Sequence, residues 1–190
     1  SGSSLLRFLV ALLDLARPGV PLAGRGEARR PSGLAPAPVT GDALARGIEQ
    51  VLAEHDDPTG TVRMVFIDDR PAGGAETVLD LPHTARAVWL LCGPFLDAMD
   101  AGAVEVRLGE AGGRLVVRLS ARDPQAEPNE RARLMRQLDA PSGSLPAAAD
   151  DRFSAASAVL LLVCWVVEAQ GGRLARGEDA GWPSFELTLP

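Results

Sequence analysis

The stretch Leu162-Val-Cys-Trp-Val-Val-Glu-Ala-Gln-Gly-Gly-Arg-Leu174, with Ser184-Phe-Glu-Leu-Thr-Leu-Pro190 after it, carries the strongest fold signal in this 190-residue chain. Apolar residues run without a charge from Ala155 to Val167, and Gly171-Gly172 supplies the left-handed turn that ends helices. A helix over Ser154 to Gln170 follows, then strands over Arg173 to Ala175 and Ser184 to Leu189. The apolar run is shorter than the roughly 20 residues a membrane-crossing helix needs, so it predicts a buried helix and no membrane span.

Working back from that helix, Ala121 to Asp151 is polar and irregular, with a short helix expected around Asn129 to Leu138. Ala103 to Leu108 and Arg114 to Ser120 alternate around Gly109-Glu-Ala-Gly-Gly113, the clearest hairpin in the chain. A helix is expected from Pro82 to about Asp100, interrupted at Gly93-Pro94 because proline removes a helical donor. Thr61 to Ile67 and Glu76 to Leu81 read as two strands joined by an Asp-Arg-Pro-Ala-Gly-Gly turn. Thr40 suits the N-cap of a helix that presents Leu44, Ile48, Val51 and Leu52 on one face and breaks at His55-Asp56-Asp57-Pro58. The order is helix, two strands, helix, hairpin, loop, helix, two strands. Each helix has one apolar face to bury, which predicts an α/β (α+β) two-layer sandwich with a mixed sheet and helices on one face.

Leu5 to Ala16 wraps apolar side chains around much of a helix that stops at Pro18-Gly19, and the chain onward to Pro38 is rich in Pro, Gly, Ala and Arg. The expected organisation is a partial dimerisation-type helix over 1–18, a linker over 19–39 and one domain over 40–190. Ser1-Gly2-Ser3-Ser4 resembles a linker scar, so the natural protein is expected to begin further upstream. Hydrophobic residues at 46% and charged residues at 23% exclude disorder of the whole chain. A net charge of -6 argues against nucleic acid and anionic lipid as partners. Cys92 and Cys164 sit in apolar runs, where buried thiols are expected, which suits a reducing cytoplasm.

The quoted stretch resembles the last helix, Gly-Gly turn and closing strand of the catalytic and ATP-binding domain of bacterial histidine kinases, of the GHKL (HATPase) superfamily. Leu90-Leu-Cys-Gly-Pro-Phe-Leu-Asp-Ala-Met-Asp-Ala-Gly102, followed by Val104-Glu-Val-Arg-Leu108 and Arg114-Leu-Val-Val-Arg-Leu-Ser120, is similar to that family's Asn-bearing helix and following hairpin. Leu12-Leu-Asp-Leu-Ala-Arg17 is similar to the end of its second dimerisation helix.

The resemblance also implies where a nucleotide would sit. The family's Asn-box helix offers oxygen ligands to Mg²⁺ and phosphates; the matching positions hold Gly93 and Asp97. Its adenine-reading Asp and the two glycines after it correspond to Ala121, Asp123 and Gln125. Its glycine-rich turn, where backbone approaches phosphate, corresponds to Ala155, Ser157 and Val159. No Asp-x-Gly-x-Gly or Gly-x-Gly lies between Ser120 and Gly171. The implied domain is therefore a degenerate one, without cofactor or metal and not an active ATP-dependent kinase.

Other candidates read as structural. Asp56-Asp57 and Asp68-Asp69 are paired acids at turns, His55 and His83 lie at helix boundaries, and neither His lies on Leu5 to Ala16. Ser154 and Ser157 have no His partner for nucleophilic chemistry. Trp165, Phe153 and Trp89 are expected to fill the core, and Arg25, Arg29 and Arg30 to be solvated charge. Histidine phosphotransferases of the ChpT type carry such a degenerate domain on a dimeric helical hairpin and dock a receiver. A lid replaced by the polar Glu127 to Ala149 is similar, but the first hairpin helix and its histidine are lacking. The expected function is two-component or phosphorelay signalling as a pseudokinase or truncated phosphotransferase, with no phosphotransfer chemistry of its own unless an upstream helix supplies the histidine. Expected partners are a response-regulator receiver domain or a sensor kinase, met at Arg7, Leu9, Leu12, Arg17, His83 and Arg86, with a homodimer formed through the N-terminal helix. The alternative is an active histidine kinase catalytic domain that binds ATP and Mg²⁺ through Asp97 and Asp123.

Overall fold

A computed structural model describes residues 34–56, 60–71, 75–123, 129, 131–132 and 155–190. The N-terminal helix and most of its linker, Arg25, Arg29, Arg30, Asp57, Phe153, Ser154 and the polar segment's Gln125 lie outside them. The elements, in chain order, are β1 (Ala37–Thr40), α1 (Gly41–His55), β2 (Val62–Asp68), β3 (Glu76–Leu79), α2 (Leu81–Ala98), β4 (Gly102–Ala111), β5 (Arg114–Arg122), α3 (Ala155–Glu168), β6 (Arg173–Asp179) and β7 (Trp182–Thr188).

Local signals account for most boundaries. Thr40 caps α1, its Oγ1 accepting from the Ala43 amide at 3.3 Å, and Leu44, Ile48 and Leu52 recur every four residues on the buried face. Asp80 caps α2 by accepting from the His83 amide at 3.0 Å, with Pro82 in the first turn. Gly112 and Gly113 both have positive φ, 59° and 75°, which a two-residue hairpin turn between β4 and β5 requires. After α3, the Gly172 amide donates to the Val167 carbonyl at 3.0 Å, with Gly171 at φ 89° closing the turn.

A five-stranded mixed sheet has the order β2-β4-β5-β7-β6, with β2 parallel to β4 and the other neighbours antiparallel; β1 and β3 form a separate antiparallel pair. The expected sandwich is what folds. One sheet face carries Val104, Val106, Leu108, Leu115, Val117, Leu119, Phe185 and Leu187, all buried with Leu44, Ile48, Leu91, Phe95 and Val163 of the three helices. Phe95 of α2 meets Phe185 of β7 edge to face, centroids 5.4 Å apart, tying the layers together.

Four expectations need correction. The strands around 61–67 and 76–81 are not partners: β2 joins β4 in the large sheet, while β3 pairs with β1, a strand in a stretch read largely as linker. Helix α2 runs unbroken through Pro94, whose buried neighbours Leu91, Cys92 and Phe95 hold it across the missing donor. Trp165 is not core; it is 45% exposed. Cys92 is fully buried, its thiol pushed up to about 12 by burial, but Cys164 is only half-buried and donates to Glu168 Oε1 at 3.2 Å.

Candidate functional site

Among the described nucleotide-implied positions, Gly93, Asp97, Asp123 and Val159 lie toward one end of the sandwich. Gln170, just past α3, accepts from the Asp80 amide at 2.5 Å and donates to Thr84 Oγ1 at 3.4 Å. The C-terminal end of α3 therefore lies at the start of α2, and the two packed helices run antiparallel. At 1.5 Å per residue, Val159 stands about 16 Å back along α3 from Gln170, and Gly93 and Asp97 about 13 and 20 Å along α2 from Thr84. Val159 is thus level with Gly93 and Asp97. The end of β5 closes the same region: a Cβ on Gly102 would come within 3.0 Å of Asp123 Cβ and 3.1 Å of Met99 Cε, so the turn after α2 lies against Asp123.

Within that end the residues differ in what they offer. Ala121 is fully buried in β5 opposite Val104, a methyl group in the core. Val159 is partly buried and packs on the same core. Gly93 faces open space, with nothing within 4 Å of where a Cβ would be. Asp97 is exposed and Asp123 half-buried. Among the described residues no three His, Cys, Asp or Glu side chains are grouped to hold a metal ion. Gln125 and the side chains of Ala155 and Ser157 lie outside the described residues.

The expected partner-binding residues are only partly described. Arg7, Leu9, Leu12 and Arg17 lie outside; His83 and Arg86 share one side of the first turns of α2. His83 Nδ1 is 2.8 Å from Asp80 Oδ1, and Arg86 is exposed. His55 is the last residue of α1, its ring 4.1 Å from that of Trp89, so Trp89 stacks on an imidazole rather than filling the core alone.

Two polar networks escaped sequence reasoning. Buried Asp80 accepts from the amides of Ala35 and His83 and meets the His83 ring; burial pushes its carboxyl up, but these contacts outweigh burial and hold it below the ordinary carboxylate value. Asp80-Leu-Pro, an N-cap followed by an early proline, was the available signal. On the sheet face away from the helices, Asp69, Arg107, Glu105, Arg122 and Asp179 alternate in sign, with Arg107 Nη1 3.0 Å from Asp69 and Arg122 Nη2 2.5 Å from Asp179. These residues come from three strands and the position just after β2, and have no common spacing in sequence. Asp68 of the second acid pair is held below its ordinary value chiefly by the hydrogen bond from Arg70, so that pair serves structure.

No protein-family model matches the chain, and no curated protein matches it. Solved structures do. Full-length ShkA in complex with AMPPNP superposes with a TM-score of 0.58 at 20% identity, covering 100% of this chain and 36% of ShkA. The nucleotide-free catalytic domain of the histidine kinase ThkA superposes with a TM-score of 0.55 at 10% identity over 82% of this chain and 95% of that domain. The chain has the fold of a histidine-kinase catalytic domain. ThkA in complex with the response regulator protein TrrA is similar too, with a TM-score of 0.54 at 10% identity over 99% of this chain and 47% of the kinase. This chain therefore spans about a third of ShkA and about half of the ThkA chain in that complex. No helix among the described residues is long and apolar enough to cross a membrane.

Proposed function

We propose that the chain is a two-component or phosphorelay signalling protein whose histidine-kinase-type domain has lost ATP binding and acts by contact with a response-regulator receiver. Its role is that of a pseudokinase or of a phosphotransferase whose histidine lies elsewhere. The observation that carries this reading is Ala121: where the fold family reads adenine with a carboxylate, this chain has a methyl group with no exposed surface. The residues do not fit a nucleotide and its Mg²⁺ at the neighbouring positions either, since Gly93 has no ligand atom and Val159 is spent on the core. Fold retained without nucleotide chemistry points to surface recognition, and ThkA is seen with a response regulator.

The receiver would meet the first turns of α2, at His83 and Arg86, together with Arg7 and Arg17 of the N-terminal segment, through a transient contact of under roughly 1,200 Å². With a net charge of -6 the contact rests on apolar groups and local arginines rather than long-range attraction. Leu9 and Leu12 would form the seam of a homodimer. Calorimetry against a panel of receivers from the source organism tests this: one receiver binds with micromolar affinity, and Arg86→Glu weakens it. Binding by none of them overturns the receiver contact.

The second reading, a kinase catalytic domain that holds ATP through Asp97 and Asp123, draws on the open space beside Gly93 and the exposure of Asp97. Nucleotide titration separates the two.

A further inference from the structure

Helix α3 has fourteen residues, Ala155–Glu168, and one charge, Glu168. One side of it is core, with Val163, Val166 and Val167 buried. The other side presents Leu161, Cys164 and Trp165 at helical spacing, half-buried, half-buried and 45% exposed. A helix that is apolar all round is ordinarily covered all round, and an exposed apolar stripe of this kind marks a contact.

We propose that the chain's own N-terminal segment, Leu5 to Ala16, covers this stripe, with Leu6, Val10 and Leu13 on Leu161, Cys164 and Trp165. Three observations select that occupant. The first is the point of attachment. The described chain begins at Leu34, and the Ala35 amide is held 2.7 Å from Asp80 Oδ2, while the Asp80 amide is held by Gln170. The linker thus enters at the C-terminal end of α3, about 8 Å of helix rise from Trp165. Counted as a random coil, the stretch 17–33 would have a root-mean-square reach of about 23 Å, enough to bring the segment back onto α3 without extension.

The second is the breadth of the apolar arc. At 100° per residue, Leu15, Phe8, Leu12, Leu5, Leu9, Leu13, Leu6 and Val10 spread over roughly 220°. One partner covers an arc of roughly 100°. A seam at Leu9 and Leu12 leaves Leu6, Val10 and Leu13 for a second surface. The third is charge: the segment and its end carry Arg7 and Arg17 against Asp14 alone, and the single charge of α3 is the opposite one, Glu168.

The test uses the full chain. Trp165 quenching by acrylamide is read as the difference between the parent and Trp165→Phe, which removes the contributions of Trp89 and Trp182. The Leu6→Lys/Leu13→Lys variant roughly doubles the Trp165 quenching constant, as removal of a covering contact requires, with circular dichroism unchanged. Leu9→Lys/Leu12→Lys, placed on the other seam, leaves it unchanged. In a Leu13→Cys variant, mild oxidation joins position 13 to Cys164 within one chain, Cys92 being fully buried and out of competition. Unchanged quenching in Leu6→Lys/Leu13→Lys overturns the proposal, and so does a position 13 to Cys164 bond formed only between two chains. Should the double variant fail to fold, the oxidation result alone decides.

Discussion

The backbone amide of Asp80 donates to Gln170 Oε1 at 2.5 Å, joining the residue before α2 to the turn after α3 across 90 residues of chain. The Asp80 carboxylate at the same time accepts from Ala35, 45 residues upstream, and caps α2. Three segments distant in sequence are therefore fixed at one buried residue. That relationship sets the antiparallel course of α2 and α3, and with it the common level of Gly93, Asp97 and Val159 along the two helices.

Asp80→Ala removes the cap and strands buried donors, so it should destabilise the domain by about 2–4 kcal/mol in urea unfolding. The acid response carries a sign. Because the folded-state value lies below the ordinary 3.8, Asp80 contributes stability above that pH and loses it as pH falls through the folded value. Asp80→Asn should accordingly show a shallower loss of stability below about pH 4 than the parent protein. A parallel acid limb in the two proteins would contradict the assignment.

Three small substitutions should separate open from closed positions. Gly93→Ala enters free space in a helix and should stabilise by about 0.5–1 kcal/mol. Gly172→Ala would drive a methyl within 2.8 Å of Val167 Cγ1 and 2.7 Å of the Thr188 carbonyl, and should cost about 1–3 kcal/mol. Ala121→Asp buries a carboxylate in the core and should cost about 3–5 kcal/mol. Thermal melts of the three, ranked against the parent, give the check.

ATP with Mg²⁺ should leave the melting temperature unchanged. A ligand at a hundred times its Kd would add about 2.7 kcal/mol, well within the reach of a melting scan. A nucleotide-dependent rise, abolished by Asp97→Asn, would instead support the kinase reading.

Light scattering should find the full chain self-associated, and Leu9→Lys/Leu12→Lys should give monomers with the domain's melting curve retained, since the described core is built from residues between Val39 and Leu189. A parent that is already monomeric would refute the dimer while leaving the contact with α3 testable.

The sequence by itself determined what depends on neighbours along the chain. Thr40, Gly112-Gly113 and Gly171-Gly172 mark α1, the β4–β5 hairpin and the end of α3, because a cap or a positive φ is a property of a few adjacent residues. It likewise determined the side chains at Gly93, Asp97, Ala121 and Val159. Tertiary structure alone decided that β2 would leave β3 for β4 and that β3 would find β1, since strand pairing depends on which edge is free and which face is buried. It decided that Pro94 would stay within a helix, where burial of Leu91, Cys92 and Phe95 outweighs one lost hydrogen bond. And it decided which apolar residues remain uncovered: Trp165 and Val163 belong to the same apolar run, and only the position of α2 and the sheet turns one inward and the other out, because burial is set by which face of a helix its neighbours reach.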